Sequence, residues 1–151
     1  MDIKQYLLTG NRLIFDGAMG TMLQKKGLPA GMIPEEVNFL HPEWLIDIHQ
    51  EYLAAGAHVI TTNTFGANSH KLATLSHTVS ETVSAALDIA VKARGDRNDV
   101  FIAQDLGPIG QLMLPSGTLT FDEAYELYKV QVLAGNDRAD FFLLETSSDL
   151  Y

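Results

Sequence analysis

The stretch Val100-Phe101-Ile102-Ala103-Gln104-Asp105 is an apolar run that ends in a carboxylate, and it indicates a buried strand with a polar residue at its carboxyl end. The arrangement occurs three more times along the chain. The other copies are Leu13-Ile14-Phe15 before Asp16, Val59-Ile60-Thr61-Thr62 before Asn63, and Phe141-Phe142-Leu143-Leu144 before Glu145. Helix-like segments separate the runs, which predicts an α/β fold of parallel βα units.

The spacing of the runs sets the predicted order of elements. Strand starts lie roughly 40 residues apart, which suits βα units with long loops. The predicted strands are Leu13–Phe15, His58–Thr62, Val100–Gln104 and Phe141–Leu144. Helices are predicted near Met22–Lys26, from Pro42 to a stop at Gly56, and over Ser80–Ala93. Two capping boxes, at Thr78–Glu81 and Thr120–Glu123, each predict the start of a helix. Two prolines and two glycines predict a long loop over Gly27–Phe39.

Composition narrows the class of protein. The chain has 151 residues, 46% of them hydrophobic and 19% charged, with a net charge of −9 and no cysteine, which fits one globular domain. No Lys/Arg cluster is present, so we expect no nucleic-acid partner. No long apolar run or signal peptide is visible, so we expect no membrane span and a cytoplasmic location.

The turn Asp16-Gly17-Ala18-Met19-Gly20-Thr21 is the first candidate binding segment. Its glycines allow backbone N–H groups to approach a ligand, and a helix that begins there presents free N–H groups to a carboxylate. Asp16 beside it could bind an ammonium group, so the segment suits the two ends of an amino acid. A structural alternative is that Asp16 caps the helix.

Three other strand ends carry candidates, each with a structural alternative. Asn63 could orient a neighbouring carboxylate or bind a substrate oxygen, or it could satisfy the backbone of its own loop. Asp105 could bind a cation or hold the loop that follows it. Glu145 is the strongest single candidate, because an ionisable residue after an apolar strand is costly unless it is paired or solvated. The five histidines (His41, His49, His58, His70 and His77) form no close metal-ligand pair and are predicted to be surface or capping residues.

Taken together, these motifs resemble the homocysteine S-methyltransferase family, which includes the homocysteine-binding module of cobalamin-dependent methionine synthase and betaine–homocysteine methyltransferase. The resemblance extends over nearly the whole chain. It implies a (βα)₈ TIM barrel about twice this length, of which residues 1–151 form a single partial domain, the first half. The motifs that carry it are Asp16–Thr21, Thr62–Asn68, Gly107–Gly110 and Glu145–Asp149.

The resemblance also implies roles for individual residues. Asp16 and Glu145 would bind the ammonium group of homocysteine, and the N–H groups near Gly17 and Ala18 would hold its carboxylate. Asn63 would lie beside them, as a binding or supporting residue. Thr64 and Asp105 would support the site.

The family's chemistry uses zinc held by three cysteines, which favours the homocysteine thiolate. The thiolate attacks the methyl group of a donor such as methylcobalamin or methyltetrahydrofolate, and the product is methionine. The family's cysteines lie on later barrel strands, so the resemblance assigns no metal or catalytic residue to this chain and implies that the isolated chain is inactive. Two alternatives remain open: a self-associating half barrel without catalysis, and a barrel methyltransferase with another acceptor.

Overall fold

A parallel sheet of three strands is the centre of the computed structural model, which describes residues 3–147. The strands are β1 (Val59–Thr61), β2 (Phe101–Leu106) and β3 (Phe141–Leu144), in the order β1-β2-β3. In the register, Val59 lies opposite Phe101, and Asp105 lies opposite Leu143. All carboxyl ends therefore meet at one edge of the sheet.

Six α-helices surround the sheet in the described part of the chain. They are α1 (Ile3–Leu8), α2 (Met19–Lys26), α3 (Val37–Leu40), α4 (Pro42–Ala54), α5 (Val79–Arg94) and α6 (Phe121–Gly135). Two short 3₁₀ turns cover Pro34–Glu36 and Lys71–Thr74. Within residues 3–147, no helix is long and apolar enough to cross a membrane.

The two faces of the sheet pack against different elements because strand side chains alternate. Ile60 and Ile102 are buried against α5 and form the main core with its apolar residues. Val59, Phe101 and Ala103 are buried on the opposite face, where Ile3 and Tyr6 of α1 cover them. A residue two positions further along a strand points to the same face of the sheet. This alternation decides to which face the polar residue at the end of each strand points.

The first predicted strand is reduced to a single bridge. Phe15 pairs with Val59 in parallel, and the His58 N–H donates to the Ile14 carbonyl at 2.7 Å. Ile14 is 56% exposed and Phe15 is 41% exposed. Among the described residues, the segment pairs on one side only, so it lies along β1 without forming a regular strand.

The remaining boundaries agree with the prediction to within a few residues, with one exception. Both capping boxes are confirmed: Thr78 caps α5 and Thr120 caps α6. The helix predicted near Met22–Lys26 begins earlier, at Met19. The predicted loop Gly27–Phe39 is wrong in part, because it contains a 3₁₀ turn and most of α3, whose Val37 is fully buried.

Candidate functional site

A cavity of about 1020 Å³ lies at the carboxyl ends of the strands. Strand parity explains why distant residues meet there. Asp105 is two residues beyond Ala103 on β2, so it shares the face of the sheet that is turned away from α5. Glu145 is two residues beyond Leu143 and has the same orientation. Six of the seven predicted residues line the cavity: Asp16, Gly17, Ala18, Asn63, Asp105 and Glu145.

Asp16 is anchored by one residue of β1. The Thr61 backbone N–H donates to Asp16 Oδ2 at 2.7 Å, and the Thr61 hydroxyl donates to Oδ1 at 2.6 Å. The Asp16 side chain is only 4% exposed. Burial raises the pKa of this carboxyl, the bonds from Thr61 lower it, and the charge of Glu145 raises it. The alternative that Asp16 caps α2 is wrong, since the N-cap is Ala18 and no described side chain caps this helix.

The turn between Asp16 and α2 is held against helix α4. The Tyr52 hydroxyl donates to the Ala18 carbonyl at 3.0 Å. A Cβ atom at Gly17 would lie 2.8 Å from this hydroxyl, so the close approach requires glycine. The first N–H groups of α2 have no acceptor within the helix and are available to an anion.

Asn63 lines the cavity, but its amide is engaged in a structural network. Asn63 Nδ2 donates to the Pro34 carbonyl at 2.8 Å and to Asn38 Oδ1 at 3.1 Å. Asn38 Nδ2 donates in return to the Asn63 carbonyl at 3.1 Å. The network fixes the 3₁₀ turn and α3 against the end of β1, which fits a supporting residue better than a direct ligand.

Thr64 lies outside the cavity lining and joins the ends of two strands. It is fully buried, and its hydroxyl donates to the Asp105 carbonyl at 2.8 Å. The Thr62 hydroxyl accepts from the Asp105 N–H at 3.2 Å. These two bonds fix the backbone of Asp105, and the supporting role of Thr64 in ligand binding stays a prediction.

Asp105 is a buried carboxyl inside β2 rather than directly after it. Burial raises its pKa to about 7, and the charge of Glu145 adds to the shift. Its Oδ1 has no hydrogen-bond partner among residues 3–147. Glu145 itself is exposed beyond β3, and its N–H donates to the Leu106 carbonyl at 3.3 Å. Ser148 and Asp149 of the same motif lie outside the described residues.

Sequence reasoning missed two ionisable residues of the cavity lining, Glu35 and Lys71. Glu35 is buried, and its carboxylate accepts from the Gly66 N–H. Burial raises the Glu35 pKa, whereas the charge of Lys71 lowers it. Lys71 lines the cavity with its Nζ 5.0 Å from the centre of the Phe65 ring. No sequence signal separates Glu35 from its neighbour Glu36.

The prediction that every histidine is a surface or capping residue is wrong for His49. This residue is 1% exposed, and its Nδ1 lies 4.0 Å from Asp16 Oδ2. Burial lowers its pKa to about 4, so the imidazole is neutral near pH 7. Its position four residues after Leu45 puts it on the buried stripe of α4, and this periodicity is the signal that could have identified it.

A metal site is not formed by the described residues. Among residues 3–147, no three His, Asp or Glu side chains are arranged to hold a metal ion. The chain also has no cysteine. The cavity lining combines carboxylates with the free N–H groups at the start of α2, and this set of groups can bind a small zwitterion.

Comparison with known proteins gives one consistent result. Residues 13–151 match the model of the homocysteine S-methyltransferase family. Betaine–homocysteine S-methyltransferase 1 from Bos taurus is 35% identical over 108 residues, which cover 67% of this chain and 26% of that protein. S-methylmethionine–homocysteine S-methyltransferase from Pongo abelii is 31% identical over 102 residues, covering 67% of this chain and 27% of that protein.

A solved structure supports the fold independently. The metallated form of the homocysteine methyltransferase MmuM from Escherichia coli matches with a TM-score of 0.80 at 21% sequence identity, covering 94% of this chain and 56% of that chain. The chain thus spans about half of that structure and about a quarter of the two curated relatives above. The predicted fold class, parallel βα units that form part of a TIM barrel, is confirmed. From the family match over residues 13–151, the chain belongs to the homocysteine S-methyltransferase family.

Proposed function

We propose that this chain supplies the amino-acid-binding half of an enzyme that methylates the sulfur of homocysteine to give methionine. One observation carries the proposal: the Asp16 carboxylate and the N-terminus of α2 line the same cavity. A carboxylate beside free N–H groups matches the ammonium and carboxylate of one α-amino acid. Family membership makes homocysteine the expected amino acid.

Charge in the cavity favours a ligand with a cationic group. Its ionisable lining comprises four carboxyl groups and one lysine: Asp16, Glu35, Asp105, Glu145 and Lys71. In the proposed complex, the ligand ammonium lies between Asp16 and Glu145. The ligand carboxylate accepts from the N–H groups near Gly17 and Ala18. Its thiol points away from these groups, towards the open side of the cavity.

The zinc that the family resemblance implies does not fit the residues of this chain. That site needs three thiolates, and the chain has no cysteine. We therefore assign no metal ligand and no methyl-transfer step to this chain. We propose that the three thiolate ligands come from residues outside the 151 of this chain. A methyl donor such as methylcobalamin or methyltetrahydrofolate would also bind elsewhere.

Calorimetry tests the proposal directly. Homocysteine with zinc is titrated into the 151-residue chain and into a chain extended past Tyr151 along its reading frame. We expect binding to the extended chain, and weaker or no binding to the shorter one, because half a barrel leaves the thiol side open. Binding to neither contradicts the proposal and favours another acceptor or a structural role.

A second candidate function is a self-associating half barrel without catalysis. It is favoured by apolar side chains at both edges of the sheet, where Phe15 lies beside β1 and Leu144 ends β3. Both are exposed in the single chain, and edge strands invite pairing with another chain. Sedimentation of the 151-residue chain decides this point, since a stable folded monomer contradicts it.

A further inference from the structure

His49 is a polar side chain in an apolar environment, and the proposed binding chemistry leaves it unused. It is 1% exposed, and the buried stripe of α4 that carries it also carries the fully buried Leu45 and Ile48. Neither ring nitrogen has a hydrogen-bond partner among residues 3–147. A buried imidazole without partners is costly, whereas an apolar side chain would fill the same place without this cost.

The ring faces one group that could accept from it. Nδ1 lies 4.0 Å from Asp16 Oδ2, a separation just beyond hydrogen-bond length. Each Asp16 oxygen already accepts one bond from Thr61, which leaves a further lone pair on each. Hydrogen bonds in binding sites are often long before the ligand arrives and shorten in the complex.

Helix α4 already supports this turn at a second point. Tyr52, three residues after His49, donates to the Ala18 carbonyl at 3.0 Å. Residues three apart on a helix share a face. The same face of α4 therefore contacts both ends of the Asp16–Ala18 segment, on which the proposed ligand would rest.

We propose that His49 is a positioning residue, whose Nδ1–H donates to Asp16 Oδ2 when a ligand ammonium binds and so fixes the carboxylate in the orientation that receives it. The inference rests on the proposed function and adds a residue to its site. A neutral donor suits this role, because burial keeps the ring uncharged and the negative charge of Asp16 stays available to the ligand. A lysine or arginine in the same place would compete with the ammonium for that charge.

The test uses three substitutions of His49 in the complete product of the reading frame that encodes this chain. His49→Asn keeps an N–H donor near the position of Nδ1, His49→Gln moves the donor towards Nε2, and His49→Leu removes it. Affinity for homocysteine is measured by calorimetry with wild type alongside. We expect about a tenfold loss for His49→Leu and His49→Gln, and a loss of less than about threefold for His49→Asn.

A second ligand separates positioning from general packing. 4-Mercaptobutanoate is homocysteine without its amino group, so it cannot contact Asp16 through an ammonium. We expect wild type and His49→Leu to bind it equally weakly. Equal losses for both ligands would overturn the inference, because they would show a role in folding alone.

Other outcomes are also decisive. If wild type binds homocysteine and all three variants bind it equally well, the positioning role is wrong and the proposed function stands. If wild type does not bind homocysteine, the proposed function fails and the inference fails with it. If His49→Leu does not fold, the comparison of His49→Asn with His49→Gln decides, since both carry an amide and only one places it towards Asp16.

Discussion

Thr61 holds both oxygens of the Asp16 carboxylate, one through its backbone N–H at 2.7 Å and the other through its hydroxyl at 2.6 Å. The two residues are far apart in sequence, and the bonds tie the start of the Asp16–Thr21 turn to the end of β1. Hydrogen bonds to the charged form of a carboxyl favour that form. Thr61 thus opposes the effect of burial, which raises the pKa of Asp16.

Replacing the Thr61 hydroxyl tests this relationship. Thr61→Val removes one donor at nearly constant volume, so we expect a higher Asp16 pKa and a loss of about 1 to 2 kcal/mol in the free energy of unfolding at pH 7. If the proposed function is right, the affinity of the extended chain for homocysteine should also fall several-fold. Urea unfolding and calorimetry measure the two effects. Thr61→Ser keeps the hydroxyl and is the control, and equal behaviour of the two variants would contradict the role of this bond.

Gly17 and Gly20 offer a matched pair within one turn. A Cβ atom at Gly17 would lie 2.8 Å from the Tyr52 hydroxyl, whereas one at Gly20 would meet nothing within 4 Å. We expect Gly17→Ala to lower the free energy of unfolding by about 1 to 3 kcal/mol through overpacking. Gly20→Ala should be neutral or stabilising by up to about 1 kcal/mol, since it lies in α2. Thermal unfolding compares them, and similar melting temperatures would argue against the Tyr52 contact.

Asp105 should make the stability of the fold depend on pH. Its pKa is about 7 when folded, and an unfolded aspartate titrates near 3.9, so the folded state binds more protons between these values. The free energy of unfolding therefore falls as pH rises from about 4 to about 7 and levels off above that range. In wild type, we expect Asp105 to account for about 2 to 4 kcal/mol of this fall in the free energy of unfolding. Asp105→Asn should remove that part of the fall.

Urea unfolding at a series of pH values between 4 and 8 measures the effect. The raised pKa values of Asp16 and Glu35 act in the same direction, so part of the slope should persist in Asp105→Asn. Asp137→Asn changes an exposed aspartate and is the control. A slope unchanged from wild type in Asp105→Asn would show that other groups produce it.

Glu145 should contribute charge to ligand binding. Glu145→Gln preserves size and removes the carboxylate, so we expect homocysteine affinity in the extended chain to fall about ten- to hundredfold. The Asp105 pKa should also fall, because the Glu145 charge helps to raise it. Calorimetry measures the first effect, and NMR titration of the Asp105 carboxyl measures the second. Glu51→Gln, at an exposed position on α4, is the control, and unchanged affinity in Glu145→Gln would remove this residue from the proposed site.

The convergence of the site could be predicted because it follows from strand periodicity. Residues at the carboxyl ends of parallel strands meet at one edge, so Asp16, Asn63, Asp105 and Glu145 line one cavity although they are far apart in sequence. The helix starts at Thr78 and Thr120 were predictable for a local reason, since a capping box uses only side chains and N–H groups three residues apart.

The missed features depend on contacts between distant parts of the chain. Glu35 is buried because Gly66 comes close enough to bond to it, and nothing near Glu35 in sequence indicates this. The burial of His49 needs the turn at Asp16 as its neighbour. Leu13–Phe15 has the composition of a strand, but it forms only the bridge between Phe15 and Val59. Whether such a segment forms a regular strand depends on the neighbouring strands, which its own sequence does not specify.

Strand β3 has a consequence for protein synthesis. It pairs with β2 alone within residues 3–147, and Leu144 at its end is 66% exposed. Because a polypeptide leaves the ribosome from its N-terminus, this strand emerges before any later segment can cover it. An uncovered apolar strand pairs readily with neighbouring nascent chains. Until a partner covers this edge, the newly made chain is therefore prone to aggregate through β3, and chaperone supply during synthesis should affect its yield.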